Sequence, residues 1–181
     1  MKRIKKCKIM PVLLLFIGIT SDAQMYSTQL GKILVNGKYN DSAYTATSDH
    51  LEMQISYDRA EMHMRLEVPT LVADNDSLNK LLQQLKGNKA HYTGKMNTNF
   101  IQTKSHPKQT IPTNGVISIN GIKKPFGFSS ILEHIAIGNI SCTLTSKFVL
   151  DLNDFDIVTN PGENKVIVHI NQLVLNRPGE N

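Results

Sequence analysis

The sequence predicts an all-β domain behind a short leader: about eight antiparallel strands closed as a barrel or stacked as a sandwich, with one short helix. Three observations predict it. Apolar and polar residues alternate with period two over long stretches, glycine-, proline- and asparagine-bearing turns recur at short spacing, and a single segment repeats with helical period.

The leader comes first. Lys2, Arg3, Lys5, Lys6 and Lys8 form a positive start, Ile9 to Ile19 an apolar run, and Ser21-Asp22-Ala23 a small-residue cleavage site. The run has 11 residues and contains Pro11. A membrane-crossing helix needs about 20, so the segment reads as a cleavable secretory signal over residues 1–23, leaving a chain of 24–181. No cysteine follows the run to carry a lipid anchor, and no other stretch is apolar enough to span a bilayer. The expected location is a periplasm or the cell exterior.

Removing the leader changes the electrostatics. It carries five of the 20 basic residues and one of the 15 acidic ones, so the remainder holds 15 and 14, a net charge of +1. A nucleic-acid or polybasic membrane-binding role loses its support. Cys7 leaves with the leader and Cys142 stands alone, so no disulfide within the chain can form. A chain of 158 residues buries about 70% of its unfolded surface, enough for one apolar core.

The clearest strands come next. Leu51, Met53, Ile55 and Tyr57 alternate with His50, Glu52, Gln54 and Ser56; after Asp58-Arg59, Met62, Met64, Leu66 and Val68 alternate with Glu61, His63, Arg65 and Glu67. A hairpin closed at Asp58-Arg59 pairs Ile55 with Met62, Met53 with Met64, Glu52 with Arg65 and His50 with Glu67. A slip of one residue would set apolar against polar throughout. The helix follows, with N-caps on offer at Asp74 to Ser77, Leu78, Leu81, Leu82 and Leu85 on one face, and Gly87 to end it. It is expected over residues 76–86, lying against the sheet or covering an opening.

Tyr92 to Ile101 reads as a weaker strand, and 102–113 as a polar loop. Asn114-Gly115 and Asn120-Gly121 read as turns flanking Val116 to Ile119, and Phe126-Gly127-Phe128 as the start of the next strand. Ile140, Cys142 and Leu144 alternate with Ser141, Thr143 and Thr145, and Phe148, Leu150 and Leu152 continue after a shift of phase that suggests a bulge near Ser146. Asn160-Pro161-Gly162-Glu163 has type II turn chemistry. The last strand runs through Val166, Val168 and Ile170, with Leu173 and Leu175 out of phase.

Gly115 to Phe126, G-V-I-S-I-N-G-I-K-K-P-F, resembles the YceI-like family of polyisoprenoid-binding proteins, whose pattern here is roughly G-x-L-T-x-x-G-x-T-K-P-V. Phe148 to Ile157 looks like the family's run ending in D-F-G-I, Val166, Val168 and Ile170 match its final V-x-I-x-I strand, and Tyr92-Thr93-Gly94-Lys95-Met96 is similar to its F-x-G-x-I element. Asp156 stands where the family usually has glycine and Lys123 where threonine is common; residues 24–73 match in pattern only. The resemblance implies an eight-stranded, lipocalin-like barrel with a long apolar cavity and a helix near one end.

A hydrophobic lipid, a polyisoprenoid in that family, is then the expected ligand, with no other cofactor and no catalytic site. The residues chosen to line its site are Met53, Ile55, Met62, Met64 and Leu66, then Ile117, Ile119, Phe126, Phe128, Leu144, Phe148, Leu150, Val168 and Ile170. Methionine is flexible and polarizable and suits an irregular alkyl chain, although it equally fills gaps in a solid core. The rival reading is therefore an exported structural or interaction domain with a side-chain-filled core.

Nothing in the sequence supplies chemistry. The six histidines have no metal-ligand spacing, no Cys-x-x-Cys occurs, and no nucleophile elbow, paired-carboxylate loop or phosphate-cradling glycine run is present. Cys142 is in phase with Ile140 and Leu144 and reads as a buried, inert thiol. Asp151, Asp154 and Asp156 read as a solvated strand end rather than a calcium loop.

Overall fold

The computed structural model describes residues 25–85, 87–98, 108–137, 140–160 and 164–176. The expected leader, residues 102–107 of the expected loop and the turn residues 161–163 lie outside them.

The strands are β1 (Met25–Tyr39), β2 (Ser42–Ser56), β3 (Glu61–Glu67), β4 (Val72–Ala73), β5 (Lys89–Met96), β6 (Gln109–Ile119), β7 (Ile122–Ile137), β8 (Ile140–Asp151) and β9 (Lys165–Asn176), with helix α1 at Asp76–Gln84. All pairings are antiparallel, in the order β1-β9-β8-β7-β6-β5-β3-β2. β1 also pairs with β2, which closes the ring; β4 is a two-residue addition beside β2. Closure selects the barrel over the sandwich, and with eight strands the interior is just wide enough for side chains or one small ligand.

The predicted β2–β3 register holds from Glu52 to Ser56, with Ile55 paired to Met62, Met53 to Met64 and Glu52 to Arg65; the expected His50–Glu67 pair lies beyond the ladder. The connection is longer than expected. It spans Tyr57–Ala60, with the Ala60 amide donating to the Tyr57 carbonyl at 3.3 Å and Ala60 in the left-handed region at φ 52°. α1 begins as predicted, with the Asn75 side chain accepting from the Leu78 amide at 2.9 Å, and the chain leaves it through Gly87 at φ 87°. Asn120-Gly121 forms the predicted two-residue turn, both residues at positive φ and Ile119 paired with Ile122.

Several expectations are corrected. Asn114-Gly115 is not a turn but the middle of β6, where Gly115 pairs with Gly94. A β-carbon there would lie 2.2 Å from the Thr93 carbonyl oxygen, so glycine serves close strand approach. Residues 109–113 are strand rather than loop. Pro112 sits one residue past the last β5–β6 pair, Met96–Thr113, and its carbonyl accepts from the Asn97 amide at 2.7 Å. β7 starts at Ile122, not at Phe126.

No phase shift occurs at Ser146, which takes the inward position between Leu144 and Phe148. The extra residue is on β9: Leu144 pairs with Leu173 and Ser146 with Ile170, which is why Leu173 and Leu175 leave the phase of Val166, Val168 and Ile170. Leu152 does not extend β8. It opens a 3-10 turn, Leu152–Phe155, capped by the Asp151 carboxylate on the Asn153 amide at 3.1 Å.

The barrel interior has two levels. Away from the helix, Tyr26, Ile55, Tyr57, Met62, Met96, Leu132, Cys142, Leu144 and Leu175 pack into a solid core. Tyr26 and Tyr57 stack there with centroids 4.3 Å apart. Toward the helix the inward side chains stand apart and leave a space.

Candidate ligand chamber

That space is an apolar chamber of about 170 Å³. Its walls come from the helix-side halves of the strands: Ile33 and Val35 on β1, Tyr44, Ala46 and Leu51 on β2, Met64 and Leu66 on β3, Ala90 and Tyr92 on β5, Ile117 and Ile119 on β6, Phe148 and Leu150 on β8, and Val166, Val168 and Ile170 on β9. Arg65, Val68, Leu71 and His91 add to the border. The Arg65 guanidinium is turned to Glu52 at 3.2 Å and Glu67 at 3.4 Å, which keeps its charge engaged away from the apolar wall.

The roof is α1. Leu78, Leu81, Leu82 and Leu85 all face the chamber, as their i, i+3, i+4, i+7 spacing requires. Asn79 holds the helix to the short β4, accepting from the Ala73 amide at 2.7 Å and donating to its carbonyl at 2.8 Å. Gln83 donates to the Pro69 carbonyl at 3.0 Å. These are few attachments for an element that covers a cavity mouth.

The opposite rim is the segment from Leu152 to Asn160, with Leu152, Ile157 and Thr159 on the chamber. Buried Asn164 organises it. Its Oδ1 accepts from the Thr159 amide at 2.9 Å and hydroxyl at 2.8 Å, and its Nδ2 donates to Asn153 Oδ1 at 3.0 Å and to the Ile157 carbonyl. The Asn40 amide donates to the Thr159 carbonyl at 3.2 Å and the Asp41 amide to Asn160 Oδ1 at 2.7 Å, tying this rim to the β1–β2 turn. Within it Asp156 sits at φ 54°, a left-handed conformation that glycine adopts without strain.

Of the fourteen residues chosen from sequence, Met64, Leu66, Ile117, Ile119, Phe148, Leu150, Val168 and Ile170 lie on the chamber. Met53, Ile55, Met62 and Leu144, also expected there, are buried but do not border the chamber. Phe126 and Phe128 likewise do not line the space. They belong to an aromatic cluster with the chamber residues Tyr92 and Phe148, centroids 4.9 to 6.0 Å apart. Alternation finds inward positions but not their depth along the axis. The sequence reading missed the contributions of β1, the first half of β2 and the rim; the leucine stripe of α1 was the available signal for the roof.

The electrostatics of the interior favour neutral groups. Burial pushes the Tyr92 hydroxyl up to about 12 and raises Tyr44 and Tyr57 as well. Cys142, 0% exposed, is pushed up to about 11 by burial, against a hydrogen bond with Tyr57 that pulls the other way. The neighbour of the thiol is thus Tyr57. His63 is exposed, 3.3 Å from Thr93, and His50 pairs with Asp49 at 2.7 Å. Among the described residues no group of three or more His, Cys, Asp or Glu is placed to hold a metal, and no helix is long and apolar enough to cross a membrane.

Fold and cavity together define a closed, eight-stranded antiparallel barrel with one helix over an apolar chamber, the architecture expected from the YceI-like resemblance. Among solved structures the chain is similar to a polyisoprenoid-binding domain from Saccharophagus degradans implicated in plant cell wall breakdown, at a TM-score of 0.64 and 11% sequence identity over 86% of this chain and 99% of that one. No protein-family model and no curated protein matches the chain. The likeness is one of fold.

Proposed function

We propose that this protein is an exported carrier that holds an apolar chain, of isoprenoid or alkyl type, in the helix-side half of its barrel, for transport or storage of the lipid. The observation that carries the reading is the chamber: a space walled by aliphatic and aromatic side chains inside a fold that has a packed core elsewhere. Each methylene moved from water into such a wall contributes about 0.8 kcal/mol, so a chain of modest length is held without any charged contact. The solved neighbour of the same fold binds a polyisoprenoid, which supports a ligand of this class. The leader-like residues 1–23 support export to a periplasm or the exterior. α1 supplies a natural gate, being held to the barrel by side-chain hydrogen bonds from Asn79 and Gln83 and by its leucines.

Organic extraction of the purified protein followed by mass spectrometry tests the reading. A stoichiometric apolar lipid is expected, or uptake of one added isoprenoid equivalent by protein that emerges empty. Empty extracts together with no uptake would favour the interaction-domain alternative.

A further inference from the structure

The geometry points to a blind chamber whose inner end limits the length of chain it encloses; this rests on the carrier reading above. A partition crosses the barrel at mid-height. The Tyr92 and Phe128 rings are 5.0 Å apart and the Phe128 and Phe148 rings 4.9 Å apart, linking β5, β7 and β8. On the facing wall Met53 and Met62, 1% and 0% exposed, occupy the next inward positions beyond Leu51 and Met64. Further from the helix, Leu132, Leu144 and Leu175 are at most 1% exposed, so these described side chains border no open space.

The enclosed volume then sets the ligand class. An engineered apolar cavity of about 150 Å³ takes one benzene ring, and the chamber here is about 170 Å³. It encloses on the order of ten carbons, a bound sized by that comparison together with the space at the mouth. The ligand is therefore a short isoprenoid or alkyl chain, or the terminal segment of a longer one whose remainder lies outside the mouth. Extra length outside the chamber leaves water only in part, so it adds little to binding.

A series of linear primary alcohols and isoprenoid alcohols, titrated against the purified protein by calorimetry, tests this. Affinity should rise about four-fold per methylene while the chain is being enclosed, break near ten carbons, and stay level to twenty, the break following from the volume comparison (about 150 Å³ for benzene). Met62→Ala and Phe128→Leu, which thin the partition, should move the break to longer chains. Affinity that climbs without a break to the longest alcohol overturns the length limit and leaves the carrier reading standing. An unmoved break in a variant that still melts cooperatively overturns the partition as its cause. If a variant does not fold, the wild-type series decides the length limit by itself. No binding at any length contradicts the carrier reading, and the length limit falls with it.

Discussion

The hydroxyl of Tyr92 lies over Gly94, two residues further along β5, so close that a β-carbon on Gly94 would fall 2.3 Å from it. Gly94 is paired with Gly115 on β6, where a β-carbon would meet the Thr93 carbonyl oxygen at 2.2 Å. The missing side chains let two strands approach and let one ring lie flat along the wall. The partition between chamber and core depends on that ring position.

Gly94→Ala should therefore force the Tyr92 ring from its place and strain the floor of the chamber. Overpacking of this kind costs about 1–3 kcal/mol. A lowered urea midpoint with an unchanged denaturant slope is the expected result; an unchanged midpoint would show that the ring has room to move.

Tyr92→Phe should act in the opposite direction. The Tyr92 hydroxyl is buried and makes no hydrogen bond among the described residues, and a buried hydroxyl left without a partner costs about 1–3 kcal/mol. Deleting its oxygen is expected to raise the stability by about 1 kcal/mol, the lower end of that range, measured by urea denaturation. A loss of stability would mean that the oxygen has a partner.

Asn164→Ala should loosen the rim opposite α1. The side chain is 3% exposed and joins Thr159, Asn153 and Ile157, so its removal strands several buried groups at once. The expected cost is roughly 2–4 kcal/mol, each net hydrogen bond contributing about 1 kcal/mol. Amide hydrogen exchange should quicken first at Thr159. Protection that stays uniform would contradict this assignment.

The buried thiol gives a pH signature. Cys142 is raised from 9.0 to about 11 in the folded protein, so the folded state holds its proton more firmly than the unfolded one. Its contribution is full below about pH 9 and is lost as pH rises through about 11, a decline of about 2–3 kcal/mol at 1.4 kcal/mol per unit. The urea midpoint of the wild type should fall from about pH 9, while Cys142→Ala stays level until the tyrosines of the unfolded chain begin to lose protons near about pH 10. Identical pH profiles for the two proteins would show that the thiol ionises as readily as in water.

Much of the fold was legible because a half-buried strand writes its register into the chain. Met53–Met64 and Glu52–Arg65 could be paired from alternation alone, and the leucines of α1 announced a one-sided helix. What misled was residue chemistry with two uses. Asn114-Gly115 has turn composition, yet Gly115 is there for strand contact. Ser146 breaks the apolar pattern of β8 without breaking its phase, because a small polar residue can face inward when its hydroxyl donates to the Ser129 carbonyl at 2.9 Å. β1 escaped notice because it changes inward parity between Tyr26 and Gly31, across a register shift that leaves Leu30 74% exposed. The site was half legible for a related reason. Period two tells inside from outside, but Met62 in the core and Met64 on the chamber differ only in height along the axis.

Methyl NMR of isotope-labelled protein titrated with a ten-carbon isoprenoid alcohol tests the central claim most directly, the chain length following from the size of the chamber (on the order of ten carbons). The account predicts that the methyl signals of Ile119, Leu150, Val168 and Leu82 shift to saturation at one equivalent while those of Ile55 and Leu132 stay still. Shifts confined to the outer surface, or spread equally through the far half of the barrel, would contradict it.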